Sequence, residues 1–362
     1  MIEDAPACTR CKKNRPVLER VHSGEKVCKA CFLKEIEDKV RKTISRYKMV
    51  EPGDKVAFAV SGGKDSTVLL RTMTSIHKQL LAQQAKSGNP PVVITIDEGI
   101  ANYRDESIRI AANMCKELGI DQIVFSFKKE FGLSLDEMIV VADKPAFKQS
   151  LYDGQHVGQL KNASKVVGKP CSICGVLRRR VLNDLAAMVH ATKLATGHNL
   201  NDEAETFLIN LFKGDVNRIG RAASVAIEDD ASPFVKKIKP LQDLIQQDIV
   251  LYLYYIGGEF QESPCPYVRE NIFRAEARGI INRLEGDHPG TLFNIKKFMD
   301  TIFPRLIMPV EPEVISVCPR CGSPKSKALD QCMACFYIDK LCGKDYDDIM
   351  RDFVARQGAS IR

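Results

Sequence analysis

Three groups of residues in this 362-residue chain combine types and spacings that can do chemistry. The first is Ser61-Gly62-Gly63-Lys64-Asp65-Ser66, where a buried strand, Asp54 to Val60, gives way to helical periodicity. Paired glycines let the backbone approach an anion, and a helix start offers free N–H groups and a positive dipole end. Lys64 adds charge. The Walker A pattern fails twice, because Phe58 stands where it needs Gly and Asp65 where it needs Ser or Thr. Taken alone, the segment is a phosphate cradle or a tight turn whose Ser and Asp cap a helix; strand, glycine pair, lysine and caps together favour the cradle. The second group is Thr196-Gly197-His198-Asn199-Leu200-Asn201-Asp202-Glu203, where Asp202 by itself reads as an acid complementing a helix dipole.

Cysteines make the third group, 13 in all. Cys8-x2-Cys11 is followed after sixteen residues by Cys28-x2-Cys31, and Cys318-x2-Cys321 after ten residues by Cys332-x2-Cys335. Each tetrad predicts a closed, tetrahedral, structural zinc, and modules this small rarely fold without metal. Between them lie Cys171-x2-Cys174, just before a helical stretch, and Cys265, flanked by Pro264 and Pro266. One CxxC fits redox chemistry, half a zinc site or buried packing. Cys115 and Cys342 read as structural or incidental.

Strands alternating with helices must position these groups. Helical patterns span Ser66 to about Gln84, Tyr103 to Leu118, Cys174 to His190 and Asn201 to Phe212. Strand patterns span Val92 to Asp97, Gln122 to Phe127, Lys193 to Thr196 and Lys236 to Lys239. The fold class is therefore α/β, a parallel sheet with helices on both faces, and phosphate ligands belong at the carboxyl ends of its strands. A charged helical stretch, Lys34 to Lys48, leaves the first cysteine module. Gly220 to Pro233 reads as an exposed loop, Leu241 to Phe303 as mostly helical, and Pro304, Pro309 and Pro312 as a linker. Four parts follow: 1–50, an N-terminal zinc module; 51–262, the α/β domain; 263–312, a helical extension with Cys265; and 313–362, a C-terminal zinc module.

The Ser61–Ser66 motif resembles the PP-loop of the N-type ATP pyrophosphatases, which split ATP between the α- and β-phosphates and adenylate a substrate oxygen. By that resemblance Ser61, Gly62, Gly63, Asp65 and Ser66 grip the phosphates, and Ala59, Val60 and Ile96 line the nucleotide pocket. Gly197 approaches the nucleotide, Asp202 acts near the phosphates or Mg2+, and Lys64 with Arg178 stabilises phosphate charge. Adding Cys171, Cys174 and Cys265, the chain resembles tRNA 2-thiolation enzymes of the TtuA and NcsA type, in which three cysteines hold a [4Fe-4S] cluster whose fourth iron stays open for sulfide. Persulfide chemistry with a Cys174–Cys265 disulfide is the rival. The resemblance runs from Cys8 to Cys335, through Asp97-Glu98-Gly99-Ile100, Tyr103-Arg104-Asp105 and Gly175-Val176-Leu177-Arg178-Arg179-Arg180; the last run matches the wobble-uridine branch. It departs at Asn201, where an aspartate is more usual, and at Cys31 and Arg178, where bacterial relatives carry histidine and lysine.

What it implies is a tRNA-uridine 2-sulfurtransferase using ATP, Mg2+, a [4Fe-4S] cluster and two zincs. The resemblance further implies sulfur from sulfide or a ubiquitin-like carrier, and a homodimer. T-loop thiolation, 2-thiocytidine synthesis, amide formation and a non-catalytic zinc-bearing tRNA-binding subunit are the alternatives. Composition agrees: 27% charged and 44% hydrophobic residues exclude wholesale disorder. Residues Met1 to Pro6 lack a basic and an apolar signal region, which predicts a reducing cytoplasm where cysteines serve metals or catalysis. The net charge of +7 falls to about +2 once two thiolate-bound zincs and a cluster are counted, so nucleic-acid binding must rest on where the basic residues sit. In the terminal modules these are Lys12, Lys13, Arg15, Lys26, Arg320, Lys325 and Lys327.

Overall fold

The computed structural model describes residues 7–21, 23–76, 90–153, 168–215, 219, 234–268, 273–306, 316–325 and 329–357. A short hairpin, β1 (Leu18–Glu19) and β2 (Lys26–Val27), leads into helix α1 (Lys29–Arg46). Then come β3 (Val56–Ala59), α2 (Lys64–Ile76), β4 (Val92–Asp97), α3 (Arg104–Leu118) and β5 (Asp121–Ser126). Three short helices follow, α4 (Phe127–Glu130), α5 (Leu135–Ala142) and α6 (Pro145–Asp153), and then α7 (Pro170–Met188), β6 (Lys193–Ala195), α8 (Leu200–Phe212) and β7 (Lys236–Ile238). Helices α9 (Gln246–Ile256), α10 (Phe273–Asp287) and α11 (Thr291–Leu306) precede a second hairpin, β8 (Ser316–Val317) and β9 (Pro324–Lys325). Helix α12 (Met333–Tyr337), a π turn at Ile338–Cys342 and α13 (Tyr346–Gln357) end the described chain.

Among the described residues the central sheet has five parallel strands in the order β5-β4-β3-β6-β7. The chain winds outward from β3 to β5, then restarts at β6 on the other side of β3. That reversal is the switch point where open α/β sheets bind ligands. The Ser61–Ser66 loop leaves β3 and the Thr196–Glu203 segment leaves β6, so both emerge at this crevice.

Side-chain alternation splits the core into two faces. Val56, Phe58 and Val60 join a cluster with Val93, Phe32, Ile36 and Leu253. Ala57, Ile94, Ile96 and Phe125 join another with Leu177, Phe336, Tyr337 and Phe353. The N-terminal cysteine module thus seals one face through α1, and the C-terminal one seals the other through α12 and α13. Neither is a tethered appendage. A buried ion network reinforces the first: Arg20 pairs with Asp248 on α9 and, at 3.1 Å, with Glu35 on α1.

Expected elements are present with shifted ends. Helix α7 starts at Pro170 rather than Cys174, since proline suits a first helical position. Both cysteines of that CxxC therefore lie in the helix. Helix α1 starts at Lys29 because Cys28 takes its N-cap position. Pro304, expected in a linker, lies inside α11. Pro309, Pro312, Gly220 to Pro233 and the expected continuation of α2 beyond Ile76 lie outside the described residues. Helices α4 to α6 were not expected; they are short and add Phe127, Leu135 and Met138 to the second face.

Candidate active site

The loop after β3 is tied to itself. The Ser66 hydroxyl donates to Gly63 O at 2.9 Å and accepts from Ser61 N at 3.2 Å. Gly62 sits at φ +81°, and a Cβ there would lie 2.1 Å from the Ser107 carbonyl oxygen, so only glycine fits. A Cβ on Gly63 would meet only the Ser61 hydroxyl, at 3.5 Å; this glycine leaves open space at the start of α2, where an anion can sit. Lys64 Nζ stands 2.7 Å from Asp65 Oδ2.

The second motif docks on the first. A Cβ on Gly197 would lie 2.8 Å from the Asp65 carbonyl carbon, so this glycine lets two backbones touch. Asn199 donates from Nδ2 to Asp65 Oδ1 at 2.9 Å. It also caps α8 in a reciprocal box: Asp202 N donates to Asn199 Oδ1, and Asn199 N to Asp202 Oδ2, both at 3.2 Å. Of the remaining expected pocket residues, Val60 and Ile96 are buried on opposite faces of the sheet and Ala59 is half-buried. Val60 and Ile96 therefore offer a ligand backbone more than side chain.

Beside the loop a buried carboxylate organises two arginines. Glu98, 3% exposed at the end of β4, pairs with Arg104 Nε at 2.7 Å and Arg178 Nη1 at 3.6 Å. Arg104 in turn donates to the carbonyls of Ser61, at 3.1 Å, and Ile96. Arg178 keeps 48% of its side chain exposed, so its charge remains open to a ligand.

The third cysteine arrives by a backbone pairing. Gln261 bridges to Gly63 in parallel fashion and donates from its N–H to Gly62 O at 3.0 Å. Its side-chain amide reaches Tyr103 O. Four residues on is Cys265, whose thiol is raised by burial, with the charges of Cys171 and Glu98 adding to the shift. Cys174 is pushed up to about 12 by burial and then by Glu98; Arg178 opposes this, and Cys265 and Cys171 also raise it. Cys171 is exposed and its thiol points to Tyr267 O at 3.5 Å. The three thus share one electrostatic neighbourhood at the start of α7. They do not all fall within 4.8 Å of one another. Three thiols from this one neighbourhood are a donor set that fits an iron–sulfur cluster, whose irons are held by cysteine thiolates.

The terminal tetrads are tighter. Each set, Cys8, Cys11, Cys28 and Cys31 or Cys318, Cys321, Cys332 and Cys335, has its sulfurs within 4.8 Å and could hold one metal ion. The two are built alike. Cys28 N donates to Cys8 Sγ and Cys332 N to Cys318 Sγ, both at 3.3 Å, and Cys28 and Cys332 each precede a helix. Arg180 on α7 donates to Cys321 Sγ at 3.2 Å, and Ser172 lies 2.9 Å from the Tyr337 hydroxyl. The helix with the central CxxC therefore also carries the C-terminal module.

A PP-loop domain model matches residues 33–138. Cytoplasmic tRNA 2-thiolation protein 1 of Chlamydomonas reinhardtii is 32% identical over 335 residues, covering 92% of this chain and 84% of that one. The chain belongs to the cytoplasmic tRNA 2-thiolation protein 1 family. The family's protein from Danio rerio is 30% identical over 336 residues, covering 92% of this chain and 88% of its own. Among solved structures, the U34-tRNA thiolase NcsA from Methanococcus maripaludis, with its [4Fe-4S] cluster, is 30% identical. It superposes with a TM-score of 0.70 over 94% of this chain and 97% of that one.

Four residues of the site had no role assigned from sequence: Glu98, Arg104, Asn199 and Gln261. The Asn199-x2-Asp202 spacing carried a capping signal. Glu98 and Arg104 lie in segments that resemble the family without their pairing being visible. Nothing in the sequence marks Gln261.

Proposed function

We propose that this chain is an ATP-dependent tRNA-uridine 2-sulfurtransferase acting on the wobble uridine. What carries the proposal is the bond from Gln261 N to Gly62 O: it ties the segment leading to Cys265 onto the phosphate loop. Nucleotide and sulfur chemistry then share one crevice.

Ser61, Gly62, Gly63, Asp65 and Ser66 would cradle the triphosphate at the start of α2, with Ala59, Val60, Ile96 and Gly197 forming the pocket walls. Asp65 and Asp202 would hold Mg2+. The uridine C2 oxygen attacks the α-phosphate, the α–β bond breaks, and pyrophosphate leaves. Lys64 and Arg178 offset the charge that develops. Sulfur then bonds to C2 as the C2–O bond breaks and AMP departs. A [4Fe-4S] cluster held by Cys171, Cys174 and Cys265 would supply an open iron that keeps inorganic sulfur beside the adenylated carbon. Cys8, Cys11, Cys28 and Cys31, and likewise Cys318, Cys321, Cys332 and Cys335, would each hold a structural zinc.

Supporting the wobble assignment are the Gly175–Arg180 and Asp97–Ile100 segments and the similarity to a U34-tRNA thiolase. An anticodon loop also offers an unpaired base that leaves its stack at modest cost. We assign 1–50 and 313–362 to the zinc modules, 51–262 to nucleotide chemistry and 263–312 to delivery of Cys265. The working form is a cytoplasmic homodimer supplied by sulfide or a ubiquitin-like carrier; the relatives' name supports the compartment. Product chromatography with ATP, Mg2+ and unmodified tRNA tests the reaction. AMP and pyrophosphate are expected, and accumulation of ADP and phosphate overturns it.

A further inference from the structure

A second cavity, of about 400 Å3, opens where α1, α11 and the start of α8 meet. Its walls hold five cations, Lys39, Lys42, Arg46, Lys296 and Lys297, against two carboxylates, Asp243 and Asp300. The carboxylates are spoken for. Asp243 accepts the Thr43 hydroxyl at 2.8 Å and stands 3.6 Å from Lys296, which also pairs with Asp300. Lys39 is held by Glu35 at 3.0 Å and Asp248 at 3.6 Å. Lys42 and Lys297 are exposed and have no acidic partner among the described residues, and Arg46 is 66% exposed with Asp243 no nearer than 4.0 Å. Two exposed lysines without an acidic partner among the described residues therefore flank one concavity, beside an exposed Arg46 that Tyr47 and Asp243 partner only at its rim.

Its place matters as much as its charge. Leu200 lines the cavity and opens α8, directly after Asn199, which is bonded to Asp65 of the phosphate loop. Leu200 N also donates to Leu244 O at 2.9 Å, which anchors the Asp243 turn to this motif. The cavity is thus at the same end of the sheet as the site. Burying one small anion would need matched donors in an enclosed pocket; free lysines on helix flanks suit the spaced, solvated phosphates of a polyanion.

We propose that this cleft binds backbone phosphates of the tRNA, with Lys42, Arg46 and Lys297 as contacts that hold the stem while its uridine enters the site. The inference rests on tRNA being the substrate. Binding of unmodified tRNA transcript to the whole protein, titrated between 50 and 200 mM salt, tests it with the double substitution Lys42→Ala, Lys297→Ala. Each lost phosphate contact lowers the salt slope by roughly 1, so losing two should shrink the affinity ratio between those salt concentrations by about tenfold. Lys128→Ala, an exposed lysine elsewhere, is the control and should match wild type. Thermal melting shows that each variant is folded. An unchanged salt slope in the double variant overturns the cleft assignment, leaving the cavity to another partner. Wild-type protein that binds no tRNA overturns the proposed function itself.

Discussion

Replacing Glu98 by Ala removes the one carboxylate between two guanidiniums, and the structure says what each partner loses. Arg104 is 5% exposed and its Nε lies 2.7 Å from Glu98, so its charge would be left buried without an opposite charge. Breaking a buried pair from one side costs about 3–5 kcal/mol. Arg104 keeps the Ser61 and Ile96 carbonyls as acceptors, which sets the expectation at the low end, about 3 kcal/mol. Arg178 is half exposed and 3.6 Å away, so its share is at most about 1 kcal/mol. Glu98→Gln retains an acceptor and should cost less, about 1–2 kcal/mol. The functional effect is separable. Arg104 holds the Ser61 carbonyl, so a loosened Arg104 should raise the KM for ATP, and a disoriented Arg178 should lower kcat. Urea unfolding gives the first quantity and AMP formation at varied ATP the second. Were Glu98→Ala to lose under 1 kcal/mol and keep its KM, Glu98 would not organise this site.

Other perturbations separate fold from chemistry. Gly62→Ala brings a Cβ to 2.1 Å from a backbone oxygen and should abolish ATP binding by calorimetry, whereas Gly63→Ala, with its nearest neighbour at 3.5 Å, should fold normally and weaken ATP only by crowding the cradle. Asp248→Ala leaves the buried Arg20 with Glu35 as its remaining carboxylate and should cost about 3 kcal/mol, the low end for breaking a buried pair, by urea denaturation. Although burial opposes it, Lys39 and Arg20 hold the Glu35 carboxyl below its ordinary value of 4.5. Glu35 is thus ionised longer in the folded than in the unfolded chain. Its contribution is complete above pH 4.5 and is lost as pH falls through the folded value, so Glu35→Gln should flatten the stability curve below pH 4.5. Metal analysis after anaerobic reconstitution should find about four irons and two zincs. Cys171→Ala, Cys174→Ala or Cys265→Ala should lose iron and keep zinc, while Cys8→Ala or Cys318→Ala should lose one zinc.

Local chemistry made much of the molecule legible in advance. Val92 to Asp97 is a buried β-branched run and forms a strand over those same residues. The glycine-rich loop announces itself because its geometry depends on residues adjacent in sequence. The terminal tetrads do so because thiol spacing within a knuckle is nearly rigid. Long-range pairings were hidden. Gln261 meets Gly62 across nearly two hundred residues through backbone atoms, which carry no sequence signal. Glu98, just past β4, and Arg178, on α7, meet only once the chain has folded. The two cysteine modules read as separate units, yet Phe32 and Phe336 are buried against opposite faces of the same sheet. Periodicity tells which side chains are buried, not which partner buries them.

The central claim is that the crevice between Gly62 and Cys265 joins ATP cleavage to sulfur transfer onto a wobble uridine. Nucleoside mass spectrometry tests it most directly. Anaerobically reconstituted protein is incubated with unmodified tRNA, ATP, Mg2+ and sulfide, and the RNase fragments are analysed separately. The account predicts 2-thiouridine in the anticodon fragment, dependent on ATP and absent with Cys265→Ala. Sulfur confined to the T-loop fragment, or none in any fragment from protein that holds its iron, would contradict it.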